Sequence, residues 1–217
     1  AASDEDWTQR ALPVRQREKI QKVLWSITKL MYLSPIHLRQ AVNTLKSGGV
    51  IAYPTEAVWG LGCDPFNEQA VLDLLVLKQR PMAKGLILIA ASVEQVEPYL
   101  QLLTSEQRQT VVDSWPAAKT WVVPVEEQFP IWVRGEHLSV AVRVSAHPPV
   151  QALCNAFGGA IISTSANITG KKTAKTTLQI RQQLADGVDY IFSAPLGGLK
   201  NPSQIRDART GQILRAS

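Results

Sequence analysis

From Ser34 onward, segments with helical periodicity alternate with short, almost unbroken apolar runs, and this rhythm restricts the chain to an α/β fold. Residues 86–91, L-I-L-I-A-A, carry no polar side chain, as expected of a strand covered on both faces. Further strands are read at 50–53, 120–125, 140–144 and 160–163, with short ones at 190–192, 204–206 and 213–214. Between them lie helical patterns. Ser34 and Pro35 form an N-cap and first helical position, Ile36, Ala41, Val42 and Leu45 supply a buried face, and Gly48 and Gly49 stop the helix. Asn67 is placed to cap a helix carrying Val71, Leu72, Leu74 and Leu75. Helices are also expected over 93–100, 105–114, 148–157 and 178–185. The sum is a single α/β domain over residues 35–217, with a twisted mixed sheet flanked by helices.

Residues 1–34 read differently. Apolar Ile20, Val23, Leu24, Ile27, Leu30 and Met31 fall at helical spacing, with Arg15, Arg17, Lys19, Lys22 and Lys29 on the remainder. This N-terminal extension is expected to be a basic amphipathic helix. A helix packed on its own protein, or a poorly ordered extension, is preferred over one that docks on RNA, a membrane surface or a partner. No apolar run in the chain is long enough to cross a bilayer and no secretory signal pattern is present, so no membrane association and a cytoplasmic location are expected. Cys63 and Cys154 lack CxxC spacing and read as buried, reduced thiols. The net charge of +5 suits an anionic ligand, a nucleotide or RNA, without choosing between them.

Polar residues cluster where strands give way to loops, the usual place for ligands in open α/β sheets. Y-P-T-E-A-V-W-G-L-G, residues 53–62, puts Thr55 and Glu56 in a turn with flexible glycines behind it. K-Q-R-P-M-A-K-G, residues 78–85, places Lys78, Arg80 and Lys84 within seven residues, cations suited to polyphosphate; such residues also simply suit a helix C-terminus. S-T-S-A-N-I-T-G, residues 163–170, offers short hydrogen-bonding groups for phosphate or ribose, or else is an ordinary Ser/Thr turn. N-P-S-Q-I-R-D, residues 201–207, is followed by Arg215, and Arg143 stands in the apolar run S-V-A-V-R-V, where a charged side chain needs a partner anion. His37, His137 and His147 lack metal spacing, His147 reads as a helix-start residue, and neither a Walker loop, a dinucleotide fingerprint nor a G-x-S-x-G elbow occurs.

In this order the motifs Y-P-T-E-x-x-W-G-L-G, K-x-R-P-x-x-K-G-L-I, S-x-A-V-R-V-x-x-H-P, S-T-S-A-N-x-x-G and N-P-S-x-I-R-D resemble the threonylcarbamoyl-AMP synthase family, the YrdC-type domain in its short bacterial form. The resemblance covers residues 35–217. It implies a YrdC-like sheet with a basic concave surface. It implies a nucleotidyltransferase that joins L-threonine, bicarbonate and ATP into threonylcarbamoyl-adenylate and pyrophosphate. Mg2+ would accompany ATP, with no tightly bound metal site in the protein. Threonylcarbamoyl-transfer proteins would complete the modification of tRNA, and tRNA or double-stranded RNA could bind directly. By motif position, the family's catalytic signature falls on Lys78, Arg80, Ser165 and Asn167. Arg80, Lys84, Ser139, Ser165, Thr173 and Arg215 match ATP-binding positions, and Thr55, Arg143, Ser163 and Ser203 match positions around threonine. Two departures stand out. A-A-K-T, residues 117–120, replaces the usual G-P-x-T, and Trp59 stands where tyrosine or phenylalanine is usual, which is expected to narrow a threonine pocket. The alternatives are an RNA-binding module acting without ATP, marked by steep salt dependence, and a carbamoyl-transfer domain related to hydrogenase maturation factors, marked by dependence on carbamoyl phosphate.

Overall fold

The structure, a computed structural model, describes residues 34–184 and 187–216. The expected amphipathic helix of the N-terminal extension falls in residues 1–33 and lies outside the described residues, as does Ala185 at the end of the 178–185 helix. Six helices and nine strands are described: α1 (Pro35–Lys46), β1 (Ile51–Pro54), β2 (Trp59–Gly62), α2 (Glu68–Leu77), β3 (Ile87–Ala90), α3 (Ser105–Asp113), β4 (Lys119–Pro124), α4 (Ile131–Arg134), β5 (Ser139–Val144), α5 (Pro148–Phe157), β6 (Ile161–Ser165), α6 (Thr177–Leu184), β7 (Tyr190–Ile191), β8 (Gln204–Asp207) and β9 (Ile213–Arg215). The strands form one mixed sheet in the order β7-β1-β2-β6-β3-β5-β4-β8-β9. The β1–β7, β3–β5 and β4–β8 pairs are parallel and the rest antiparallel.

Local chemistry explains most boundaries. The Asn67 side chain accepts the Ala70 N–H at 3.1 Å and starts α2. Thr104 and Gln107 close a reciprocal capping box ahead of α3. Gly158, in the left-handed region, ends α5. One expected helix is absent: 93–100 contains only a short 3-10 turn, Glu97–Tyr99, because Pro98 supplies no N–H to continue it. Ile36 is not part of the buried face of α1; it is exposed, and only Ala41, Val42 and Leu45 are buried.

Strand β2 lies in the segment that reads as a glycine-rich turn. Its glycines serve close approach: a Cβ on Gly62 would lie 2.5 Å from the Ile162 carbonyl oxygen and 2.8 Å from the Tyr53 ring. Alternation along the strands then separates two faces. Leu61, Leu88, Trp121, Val123, Val140, Val142 and Ile162 point into the main core, which α2 closes with Val71, Leu74 and Leu75. Each such buried aliphatic side chain contributes roughly 1.5–3 kcal/mol by leaving water. On the other face α1 and α5 pack together and cover β1 and β3. The remainder of that face, which carries Ser163, Ile87, Ala141, Val122 and Asp207, is left open.

Candidate functional site

The open part of the sheet is the floor of a cavity of about 610 Å³, within the usual ~300–1,000 Å³ of small-molecule sites. Ser163, Ile87, Ala141, Val122 and Asp207 are successive Cα partners across β6, β3, β5, β4 and β8, and all five line it. The centre of the floor is therefore apolar and its ends are polar. Arg80, Lys84, Arg134, Arg143, Arg209 and Arg215 supply cationic side chains to the wall, against the carboxylates Glu56 and Asp207.

Ten of the twelve residues implied by motif position line this one cavity: Thr55, Arg80, Lys84, Ser139, Arg143, Ser163, Ser165, Thr173, Ser203 and Arg215. Lys78 and Asn167 do not. Lys78 is buried, and its Nζ donates to the carbonyls of Ser165 and, at 2.8 Å, of Asn167. Asn167 Nδ2 donates to the carbonyls of Ile168 and Lys171 at 2.8 and 2.9 Å. Thr169 donates both its N–H and its hydroxyl to the Lys78 carbonyl, each at 2.9 Å. Together these bonds fasten the 165–171 loop to the end of α2. The signature thus divides into two cavity-wall groups, Arg80 and Ser165, and two groups that hold the wall in place.

Burial, reinforced by the charge of Arg80, pulls the Lys78 ammonium down to about 8 from its ordinary 10.5. Between these values the unfolded chain binds more protons than the folded one, so Lys78 makes stability rise with pH across that window. Denaturant titrations at about pH 7.5, 9 and 10.5 check this against Lys78→Met, because other titrating groups cancel in the comparison. The wild type is expected to gain on the variant as pH rises; a constant difference between the two refutes the assignment.

Arg80 follows Gln79, which has a positive φ of 49°. Its Nη2 donates to the Gly85 carbonyl at 2.9 Å, and its Nε is buried without an acceptor among the described residues. Lys84 ends the short 3-10 turn Met82–Lys84. That loop is seated on the α4 region through Leu86 N–H to the Val133 carbonyl and Glu136 N–H to the Ala83 carbonyl. Arg134, at the end of α4, donates to the carbonyls of Glu127, Phe129, Gly135 and His137, so its charge is spent on shaping its own loop.

At the other end, the Thr55 hydroxyl donates to the Val58 carbonyl at 2.7 Å and keeps its lone pairs. Ser203 shares a hydrogen bond with Thr120 at 2.8 Å, and Arg215 Nη2 donates to the Ser203 carbonyl at 2.8 Å. Arg143 is buried, and Nη2 donates to Glu56 Oε2 at 2.8 Å. That pair is the partner anion which a charge on an apolar strand requires. The Arg143 Nε also has no acceptor among the described residues. Sequence reasoning placed Glu56 and Asp207 within its polar clusters but gave them no binding role, and it left Arg134, His137 and Arg209 outside the site, although all five line the cavity. The alternation of Ser139, Ala141 and Arg143 with three valines was the available signal for the floor.

The two departures take definite places. Trp59 belongs with Leu61 to the main core and also lines the cavity. In A-A-K-T, Ala118 and Thr120 line the cavity, whereas Ala117 donates its N–H to the Val144 carbonyl. Among the described residues no group of three or more His, Cys, Asp or Glu is placed to hold a metal ion.

The Sua5–yciO–yrdC family model, described as telomere recombination, matches residues 43–217. The threonylcarbamoyl-AMP synthase of Cellvibrio japonicus is 50% identical over 177 residues, 82% of this chain and 94% of that protein. The protein of the same name from Aliivibrio fischeri is 52% identical over 181 residues, 82% of this chain and 98% of its own length. The crystal structure of P. abyssi Sua5 complexed with L-threonine superposes with a TM-score of 0.73 at 29% identity, covering 78% of this chain and 50% of that one. The present chain therefore spans half the length of that Sua5 chain.

Proposed function

Since the chain belongs to the Sua5–yciO–yrdC family, we propose that it is a threonylcarbamoyl-AMP synthase acting through the cavity described above. The supporting observation is that ten side chains from separate segments of the chain, carrying hydroxyls and cations in the required mixture, line a single hollow. The threonine amine attacks bicarbonate with loss of water, giving a carbamate. A carbamate oxygen attacks the α-phosphorus of ATP, and pyrophosphate leaves. No protein nucleophile is needed; positioning and charge stabilisation carry the step.

Arg80 and Lys84 meet the triphosphate, with Ser139, Ser165, Thr173 and Arg215 on its remaining oxygens and the ribose. Arg143 meets the threonine carboxylate as a guanidinium fork, and Thr55, Ser163 and Ser203 surround the rest of the amino acid. Lys78 and Asn167 act by holding Ser165 and its loop. Mg2+ enters with ATP as part of the substrate. The two cavity carboxylates are already engaged, Glu56 by Arg143 and Ser145 and Asp207 by Arg209 and Thr210. The product passes to threonylcarbamoyl-transfer proteins and so to tRNA. No described helix is long and apolar enough to cross a membrane.

Pyrophosphate release tests the reaction. It is expected only when ATP, threonine and bicarbonate are all present. Release without threonine, or support by carbamoyl phosphate in place of bicarbonate, contradicts the proposal; tight salt-dependent RNA binding with no ATP turnover favours the RNA-binding module instead.

A further inference from the structure

Glu56 carries none of the roles assigned above, yet it is among the most firmly held side chains of the cavity wall. It is 7% exposed. Its Oε2 accepts from Arg143 at 2.8 Å, and its Oε1 accepts from the Ser145 hydroxyl at 2.7 Å. The Ser145 oxygen in turn accepts the His147 N–H at 3.1 Å, and His147 Nε2 donates to the Pro195 carbonyl at 3.0 Å. The Glu56 backbone is fixed too. Its carbonyl accepts the Leu199 N–H at 2.9 Å, and the Thr55 carbonyl accepts the Gly197 N–H at 3.0 Å. Gly197 is so close that a Cβ there would lie 2.8 Å from Glu56 Cα. The β1–β2 turn, the end of β5, the start of α5 and the 195–199 segment therefore all fix where this carboxylate points.

What the carboxylate fixes is Arg143. One Nη is held by Glu56, while the buried Nε has no acceptor among the described residues. A buried N–H of this kind marks a place where an acceptor from outside the protein fits. We propose that Glu56 is a positioning residue, holding the Arg143 guanidinium so that its remaining N–H groups meet the carboxylate of the amino-acid substrate. This rests on the reading of Arg143 as the partner of that carboxylate. Glu56 acts here through reach and direction. Its negative charge alone works the other way, weakening the attraction of Arg143 for a second carboxylate.

These two influences predict opposite orders in two conservative variants. Glu56→Asp keeps the charge and shortens the reach, whereas Glu56→Gln keeps the reach and still offers Arg143 an acceptor oxygen. Positioning predicts that Glu56→Asp raises the threonine KM about tenfold or more, the size of one lost charge-assisted hydrogen bond, while Glu56→Gln raises it by less than about threefold. The ATP KM stays unchanged in both. Calorimetric titration of threonine is expected to give the same order. Glu56→Gln as harmful as Glu56→Asp, or a parallel rise in the ATP KM with a lowered Tm in both, overturns the role for Glu56. Threonine binding that survives Arg143→Ala overturns the underlying reading of Arg143, a separate and recognisable result.

Discussion

Replacing Arg80 with alanine lowers pyrophosphate release about a hundredfold to a thousandfold, the loss expected when one preorganised charge-stabilising donor is removed. Three observations set this expectation. Arg80 lines the cavity. Among the described residues it makes one side-chain hydrogen bond, to the Gly85 carbonyl. Its Nε is buried and unpartnered, and burial already pulls its ionisation below the ordinary guanidinium range, so the charge is poorly hydrated and available to a phosphate. Stability should change little, because a half-buried side chain with one protein hydrogen bond contributes little to the fold. Lys78 should become a stronger base in the variant, since the Arg80 charge is one of the two influences depressing it. Steady-state release measured beside a thermal melt checks the claim. A folded Arg80→Ala protein with unimpaired turnover removes Arg80 from the reaction.

Arg143→Ala is expected to fail in a different way. Arg143 and Glu56 form an ion pair whose side chains are 8% and 9% exposed. Truncating the arginine leaves a buried carboxylate facing Ser145 alone, and breaking one partner of a buried pair costs about 3–5 kcal/mol. Arg143→Ala should therefore melt at markedly lower temperature and show no threonine-dependent turnover. Adding Glu56→Gln removes the stranded charge and should restore much of the Tm without restoring activity. If the single variant melts as the wild type does, the pair is not the buried element described. If the double variant regains activity, Arg143 has no role with the amino acid.

How much of this was legible in the sequence depends on the kind of signal. Helices whose ends are marked by short-range chemistry read well: the Asn67 cap of α2 and the 148–157 span of α5. The continuously apolar β3 read equally well, as did β5 with its alternating valines. β2 did not, because its glycines answer to the Tyr53 ring and the Ile162 carbonyl, neighbours that no local pattern reveals. The 93–100 helix was lost to Pro98, and α4, four residues long, is too short to show a period. In the site, the motifs were legible as an ordered series, and ten of the twelve residues expected from the resemblance line one cavity. The sequence could not say that Lys78 lies behind the wall while Arg80, two residues on, lies in it; that follows from the positive φ of Gln79 and the carbonyl partners of Lys78. Nor could it pair Glu56 with Arg143, 87 residues away.

The most direct measurement is a crystal structure of the protein with threonine and a non-hydrolysable ATP analogue. The triphosphate should lie against Arg80 and Lys84, with the threonine carboxylate on Arg143, both in the hollow floored by Ile87, Ala141 and Val122. Either ligand bound elsewhere, or Arg143 turned from the amino acid towards Glu56 alone, would contradict the account.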